Sequence, residues 1–295
     1  MSTLIEQLRY VHLGSRDPEA AAHFAVERLG MAVAGNEGGI WQLRDDARAF
    51  SLSFSSGREQ AVGLKVRSAE ALDVIAERLA ARGIASRHDP ALAKLRQAKE
   101  LLAFTTPGGI TIELVWRPMD KGWRFFPTRE IGLLGLADVA LRSADVAVDE
   151  ALLVEVLELR VADWIGDASY LGFDAAHHRL SLHPSTATGV LALEFQLDCL
   201  DQVMQAWYRL RDAGETPAHG PGRRPASGQG FLTFDGPDDI HYSVVCDGNA
   251  VAADARPRQF VAEPGSYCAW GSDCRIAEYG AQDAPVRGRP QLRGV

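Results

Sequence analysis

The sequence predicts an α+β fold: two tandem modules built from βαβββ repeats, each a half-open barrel. Three observations predict it. Similar segments recur in one order at offsets of about 128 to 131 residues. The recurring unit joins short strands to amphipathic helices. The chain, at 295 residues, is long enough for two cores of ordinary size.

The elements follow in order. RYVHLGSRDPEAAAHFAVERLGMAV, from Arg9, reads as a strand, a turn at Ser15-Arg16-Asp17, a helix and a second strand. ADVALRSADVAVDEALLVEVLELRV, from Ala137, repeats it, with Leu13 and Asp17 answered by Leu141 and Asp145. VGLKVRSAEALDVIAERLAARG, from Val62, resembles LALEFQLDCLDQVMQAWYRLRDAG, from Leu191; each is a strand running into an amphipathic helix that a glycine ends. FTTPGGITIEL, from Phe104, and FDGPDDIHYSV, from Phe234, are a turn and a closing strand. On that last strand His241 and Ser243 fall two apart and share a face. The first module spans residues 1–120, and the second, which carries the pocket, spans 130–250. Between them lies the turn-rich stretch RPMDKGWRFFPTREIG. Residues 251–295 form an irregular arm rich in Pro, Gly and Arg, with its last dozen residues expected to be disordered.

Composition narrows the function. The chain is 46% apolar and 24% charged, as in a water-soluble globular protein. A formal net charge of -8 speaks against nucleic acid or an anionic membrane as partner. No apolar run reaches the roughly 20 residues of a membrane span, and the start lacks a signal-peptide pattern. A cytoplasmic location, free thiols at Cys199, Cys246, Cys268 and Cys274, and a homo-oligomer are the expectations.

These segments resemble the vicinal oxygen chelate superfamily (glyoxalase, bleomycin resistance and extradiol dioxygenase proteins). Within it they resemble the two-domain type I extradiol ring-cleavage dioxygenases. The resemblance covers about residues 5 to 250 and is carried by LRQAKELLAFTTPGGITIELVW in the first half. In the second half GLADVAL, AAHHRLSL, LALEFQL and GPGRRP fall in the family's order. It implies one iron(II) or manganese ion in the second module, held by two histidines and a glutamate, with open positions for a catechol and dioxygen. The matching positions here are Asp138, Ala192 and Ser243; the first half offers Tyr10, Ala61 and Glu113. Alanine has no donor and an unactivated serine is a poor ligand, so the expectation is no metal and no cofactor.

The resemblance also matches the family's acid/base histidine to His178, its second substrate histidine to Arg224 and its tyrosine to Thr233. A metal-independent enzyme on a small phenolic or catechol-derived aromatic compound is therefore expected, a hydrolase, lyase or isomerase working by acid/base chemistry. His178 is the acid/base, Asp138 with His241 the supporting dyad, and Arg224 the anion clamp. Ser243, Thr233, Ala192 and His177 complete the substrate-contacting set. Two alternatives stand beside it. One is a true extradiol dioxygenase with an unusual iron or manganese site; the other is a non-catalytic binder of aromatic ligands.

Overall fold

The structure is a computed structural model that describes residues 2–122, 124–128, 132–252 and 254–280. The end of the arm, expected to be disordered, lies outside them.

Each module is itself doubled. In the first, β1 (Ile5–Ser15), α1 (Pro18–Leu29), β2 (Ala32–Glu37), β3 (Ile40–Arg44) and β4 (Leu52–Ser56) make one unit. The second unit is β5 (Gln60–Val66), α2 (Glu70–Ala80), β6 (Ser86–His88), β7 (Glu100–Thr105) and β8 (Thr111–Trp116), with a short α3 (Pro90–Leu95) inserted. The eight strands form one sheet in the order β2-β3-β4-β1-β5-β8-β7-β6. The leading strands of the two units, β1 and β5, thus meet antiparallel at its centre.

The second module repeats the plan. Its first unit is β9 (Leu133–Ser143), α4 (Val146–Leu157), β10 (Arg160–Ile165), β11 (Ala168–Gly172) and β12 (Leu180–Pro184). Its second is β13 (Gly189–Leu197), α5 (Leu200–Asp212), β14 (His219–Arg223), β15 (Gly230–Asp235) and β16 (His241–Cys246). Here β9 and β13 take the centre, and β17 (Arg258–Phe260) of the arm adds itself parallel to β10 at one edge. The arm continues through α6 (Pro264–Tyr267) to a single helical turn at Ala277–Tyr279.

Local chemistry explains the repeated residues. Asp17 and Asp145 are the N-caps of α1 and α4, accepting from the amides of Ala20 and Val148 and so satisfying donors that the helix leaves free. In α2 the residues Ala71, Leu72, Ile75 and Leu79 are buried, an i, i+4 stripe facing the sheet. The long central strands are almost wholly buried, because helices and the other module cover the faces the barrel does not. The modules also touch: Ser2 donates to the Leu157 carbonyl, and Arg16 pairs with Asp238 at 3.0 Å.

Candidate active site

The centre of the second sheet carries a row of polar side chains. Asp138 on β9 stands opposite Glu194 on β13, Glu194 opposite Ser243 on β16, and Ser243 opposite Thr233 on β15. Residues directly opposite share a face, and all four are buried. Ser243 and Thr233 satisfy each other, hydroxyl to hydroxyl, at 2.7 Å.

Glu194 is met by Arg224, which follows β14 and reaches back over the sheet. Its two terminal nitrogens donate to the two carboxylate oxygens at 2.5 and 2.6 Å. A bidentate fork of this kind is what makes a buried charge pair tolerable. The guanidinium also lies over the Phe231 ring, 4.8 Å from its centroid. Asp138 is close by. Its Oδ2 accepts from Gln229 at 3.2 Å, its Oδ1 has no hydrogen-bond partner, and His178 Nε2 stands 3.5 Å from that same Oδ1.

Two buried carboxyls share the one guanidinium of Arg224, and burial favours their protonated forms. Burial, opposed by Arg224 and reinforced by Asp138, pushes the Glu194 carboxyl up to about 7. Burial likewise raises Asp138. It acts the other way on imidazoles: His178 is lowered well below its ordinary value by burial and by His177. His183 falls to about 3 and His219 to about 4, chiefly by burial. These rings are neutral at pH 7.

Beside the row lies a narrow cavity of about 10 Å³, room for roughly one water. Glu194 and Arg224 form part of its wall, with Tyr170 and His219, and the arm closes it with Tyr267 and Tyr279. Those two tyrosines stack at 5.3 Å between centroids.

The sequence-derived set is therefore only partly gathered. Asp138, Arg224, Ser243 and Thr233 come together in or over the row, with His178 against its end. Ala192 does not join it: it stands opposite His241, one step along the strand face, and Glu194 takes the place it was given. His241 does not support Asp138 either; its Nδ1 faces Asp235 at 3.0 Å at the rim. His177 is buried and occupied by Asp163 at 2.7 Å, in the loop between β11 and β12 rather than on a strand. Glu194 was missed although a charged residue inside the apolar run LALEFQL was its signal. The first module carries a reduced counterpart. Tyr10, Gly63 and Glu113 are its row, not Tyr10, Ala61 and Glu113, with Arg96 donating to Glu113 at 2.8 and 3.0 Å.

No family model matches the chain. It is 27% identical over 230 residues to biphenyl-2,3-diol 1,2-dioxygenase of Pseudomonas sp. (strain KKS102), covering 71% of this chain and 78% of that protein. Among solved structures it is similar to BphC, a halotolerant catechol dioxygenase, with 17% identity, a TM-score of 0.83, and 94% and 96% of the two chains covered. The Mn(II)-bound glyoxalase from Novosphingobium aromaticivorans has 20% identity and a TM-score of 0.83 over 98% of each chain. The 2,2',3-trihydroxybiphenyl 1,2-dioxygenase of Sphingomonas wittichii strain RW1 has 20% identity, a TM-score of 0.78, and 92% and 99% coverage. In sequence and in fold the chain is similar to proteins of the vicinal oxygen chelate superfamily. Its likeness is to the extradiol dioxygenases among them.

This kinship corrects the expectation of no cofactor. The sequence relative is a dioxygenase and a protein of the same fold is bound to Mn(II), so the superfamily points to a metal cofactor. The central row of the second module does not fit the two-histidine, one-carboxylate set. Ser243 is a weak donor already bonded to Thr233, and both Glu194 oxygens are held by Arg224. Within the row, Asp138 Oδ1 is the side-chain oxygen without a partner. Among the described residues no group of three or more His, Cys, Asp or Glu side chains is arranged to hold an ion. Nor, among them, is any helix long and apolar enough to cross a membrane.

Proposed function

We propose that the protein is an extradiol-dioxygenase-like enzyme acting on a phenolic or catechol-type aromatic compound in its second module, with ring opening as the reaction class. The observation that carries this reading is the kinship with biphenyl-2,3-diol 1,2-dioxygenase, which runs through most of the chain. The preference for ring opening over a hydrolytic or isomerising reaction rests on that relative.

The side chains at the cavity support a phenolic ligand. Tyr170, Tyr267 and Tyr279 offer aromatic faces to a ring. Arg224 favours the ionised form of a hydroxyl placed near it. Glu194, at about 7, can take or return the hydroxyl proton at neutral pH. His178, neutral and in edge contact with Tyr170 at 5.0 Å, stands behind that wall.

The test is oxygen uptake and formation of ring-opened product with 2,3-dihydroxybiphenyl and with catechol. The protein is assayed as purified and after anaerobic loading with iron(II) or manganese(II), and its metal content is measured alongside. Oxygen consumed in step with ring-opened product is the expected result. Conversion of a phenol with no oxygen consumed in any of the three states would remove ring opening, and absence of both binding and conversion would remove the aromatic substrate.

A further inference from the structure

Behind the cavity wall four side chains form a continuous line. Asp163 Oδ2 lies 2.7 Å from His177 Nε2, and His177 Nδ1 lies 3.1 Å from His178 Nδ1. His178 Nε2 lies 3.5 Å from Asp138 Oδ1. All four side chains are at most 4% exposed, so no bulk water intervenes. The line begins at the module's edge, where Arg258 of β17 holds Asp163. The Arg258 backbone N–H and Nε donate to Oδ1 at 2.7 and 3.1 Å, and Nη2 donates to Oδ2 at 2.6 Å.

We propose that Asp163 and His177 are positioning residues that set the tautomer of His178, and that the line passes a proton between Asp138 and His177. The assignment follows from which atoms can donate. Asp163 is surrounded by donors and only accepts; burial works to raise its carboxyl, but the donors of His177 and Arg258 hold it below the usual range. His177 therefore carries its hydrogen on Nε2. Its Nδ1 then offers a lone pair, and the 3.1 Å contact requires the hydrogen on His178 Nδ1. That leaves His178 Nε2 as a lone pair aimed at Asp138 Oδ1, the atom without a partner. A proton on Asp138 fills that gap.

The relay step balances. The Asp138 O–H bond breaks as an N–H bond forms at His178 Nε2. The His178 Nδ1–H bond breaks as one forms at His177 Nδ1. Asp138 is left as a carboxylate beside Glu194 and Arg224, and His177 becomes an imidazolium against the Asp163 carboxylate. No redox partner is needed.

This deepens the proposed function, since it supplies a proton path to the carboxyl pair at the cavity, but it can be tested without turnover. The measurement is the ¹⁵N–¹H correlation spectrum of the histidine side chains of the whole protein at pH 7. His177→Gln and His178→Gln variants assign the peaks. The expected spectrum shows His178 protonated at Nδ1 alone and His177 at Nε2 alone. A wild-type His178 that carries its hydrogen on Nε2 would overturn the proposal, and this needs no variant that might misfold.

Asp163→Asn gives the second readout. Its amide NH₂ belongs at the Oδ2 position, which faces one Arg258 donor, Nη2, that keeps its bond to the Ala226 carbonyl, whereas the Oδ1 position faces both the backbone N–H and Nε. There it donates to His177 Nε2 and reverses the line, so the His178 hydrogen moves from Nδ1 to Nε2. An unmoved His178 hydrogen in a folded Asp163→Asn protein would also count against the proposal. If the tautomers are as stated and no phenol is converted, the positioning role of Asp163 and His177 stands and the functional reading falls; conversion with the wrong tautomer means the reverse.

Discussion

Arg224 and Glu194 show what one buried charge does when its partner is removed. Arg224→Met strands the carboxyl and is expected to destabilise the fold by about 3–5 kcal/mol in denaturant unfolding, whereas the double change Arg224→Met with Glu194→Met should recover most of it. Equal instability of the single and double variants would mean the guanidinium acts through packing on Phe231 instead. Glu194 also leaves a mark on pH dependence. Its folded value, raised by burial to about 7 from an ordinary 4.5, means the folded chain binds the extra proton. Its contribution is fully present below about 4.5 and is lost as pH rises through about 7, on the order of 3 kcal/mol in all. The wild type minus Glu194→Gln difference in unfolding free energy should fall over that window; a flat difference would show the carboxyl ionised throughout. Residue by residue the sequence was half legible. Ser243 could be placed because FDGPDDIHYSV repeats FTTPGGITIEL, which sets Ser243 against Glu113. Ala192 stands two residues from Glu194, the true row position, and a slip of two leaves every side chain on the same face, so the apolar pattern cannot detect it. The strand pairing shifts by one residue between Val190 and Ala192, a local irregularity that composition does not announce.

At the scale of the element, repetition was the strongest signal, and its physical content is capping. Asp17 and Asp145 recur because each closes the amide end of a helix that follows a central strand. Asp17→Ala and Asp145→Ala should each cost about 1 kcal/mol of stability in urea titration, and a change within experimental error in both would mean the aspartates recur for another reason. Gly63 marks where the two modules part company. It sits where Glu194 sits in the other sheet, and the Tyr10 ring lies over it so closely that a Cβ would fall 2.4 Å from that ring. Tyr10 in turn donates to Glu113 at 2.5 Å. Gly63→Ala should therefore destabilise the first module by about 1–3 kcal/mol through overpacking; a neutral effect would mean that Tyr10 is free to move. The first module has filled its row with a phenol and an ion pair, which suits a scaffold, while the second keeps two carboxyls and a cavity.

Across the whole molecule the arm decides access. Composition marked residues after 250 as irregular, but nothing in Pro, Gly and Arg content says where such a segment lands. It lands on the cavity: β17 extends the sheet, Tyr267 and Tyr279 close the opening, and Glu278 pairs with Arg142 on β9 at 2.6 Å. A cavity of about 10 Å³ cannot admit an aromatic ring, so ligand entry requires these contacts to open. Glu278→Gln weakens the arm's hold without touching the cavity wall, and Tyr279→Ala removes part of the cover itself. Both should speed association of a catechol, followed by stopped-flow tryptophan quenching, by about tenfold if opening limits entry. The two variants differ in the reverse step. Glu278→Gln should leave the dissociation rate raised by a similar factor and the affinity little changed, because the same arm motion gates exit. Tyr279→Ala should raise dissociation more, because a stacking face is lost as well. Association rates equal to wild type in both variants would show that ligand enters by another route and that the arm is fixed.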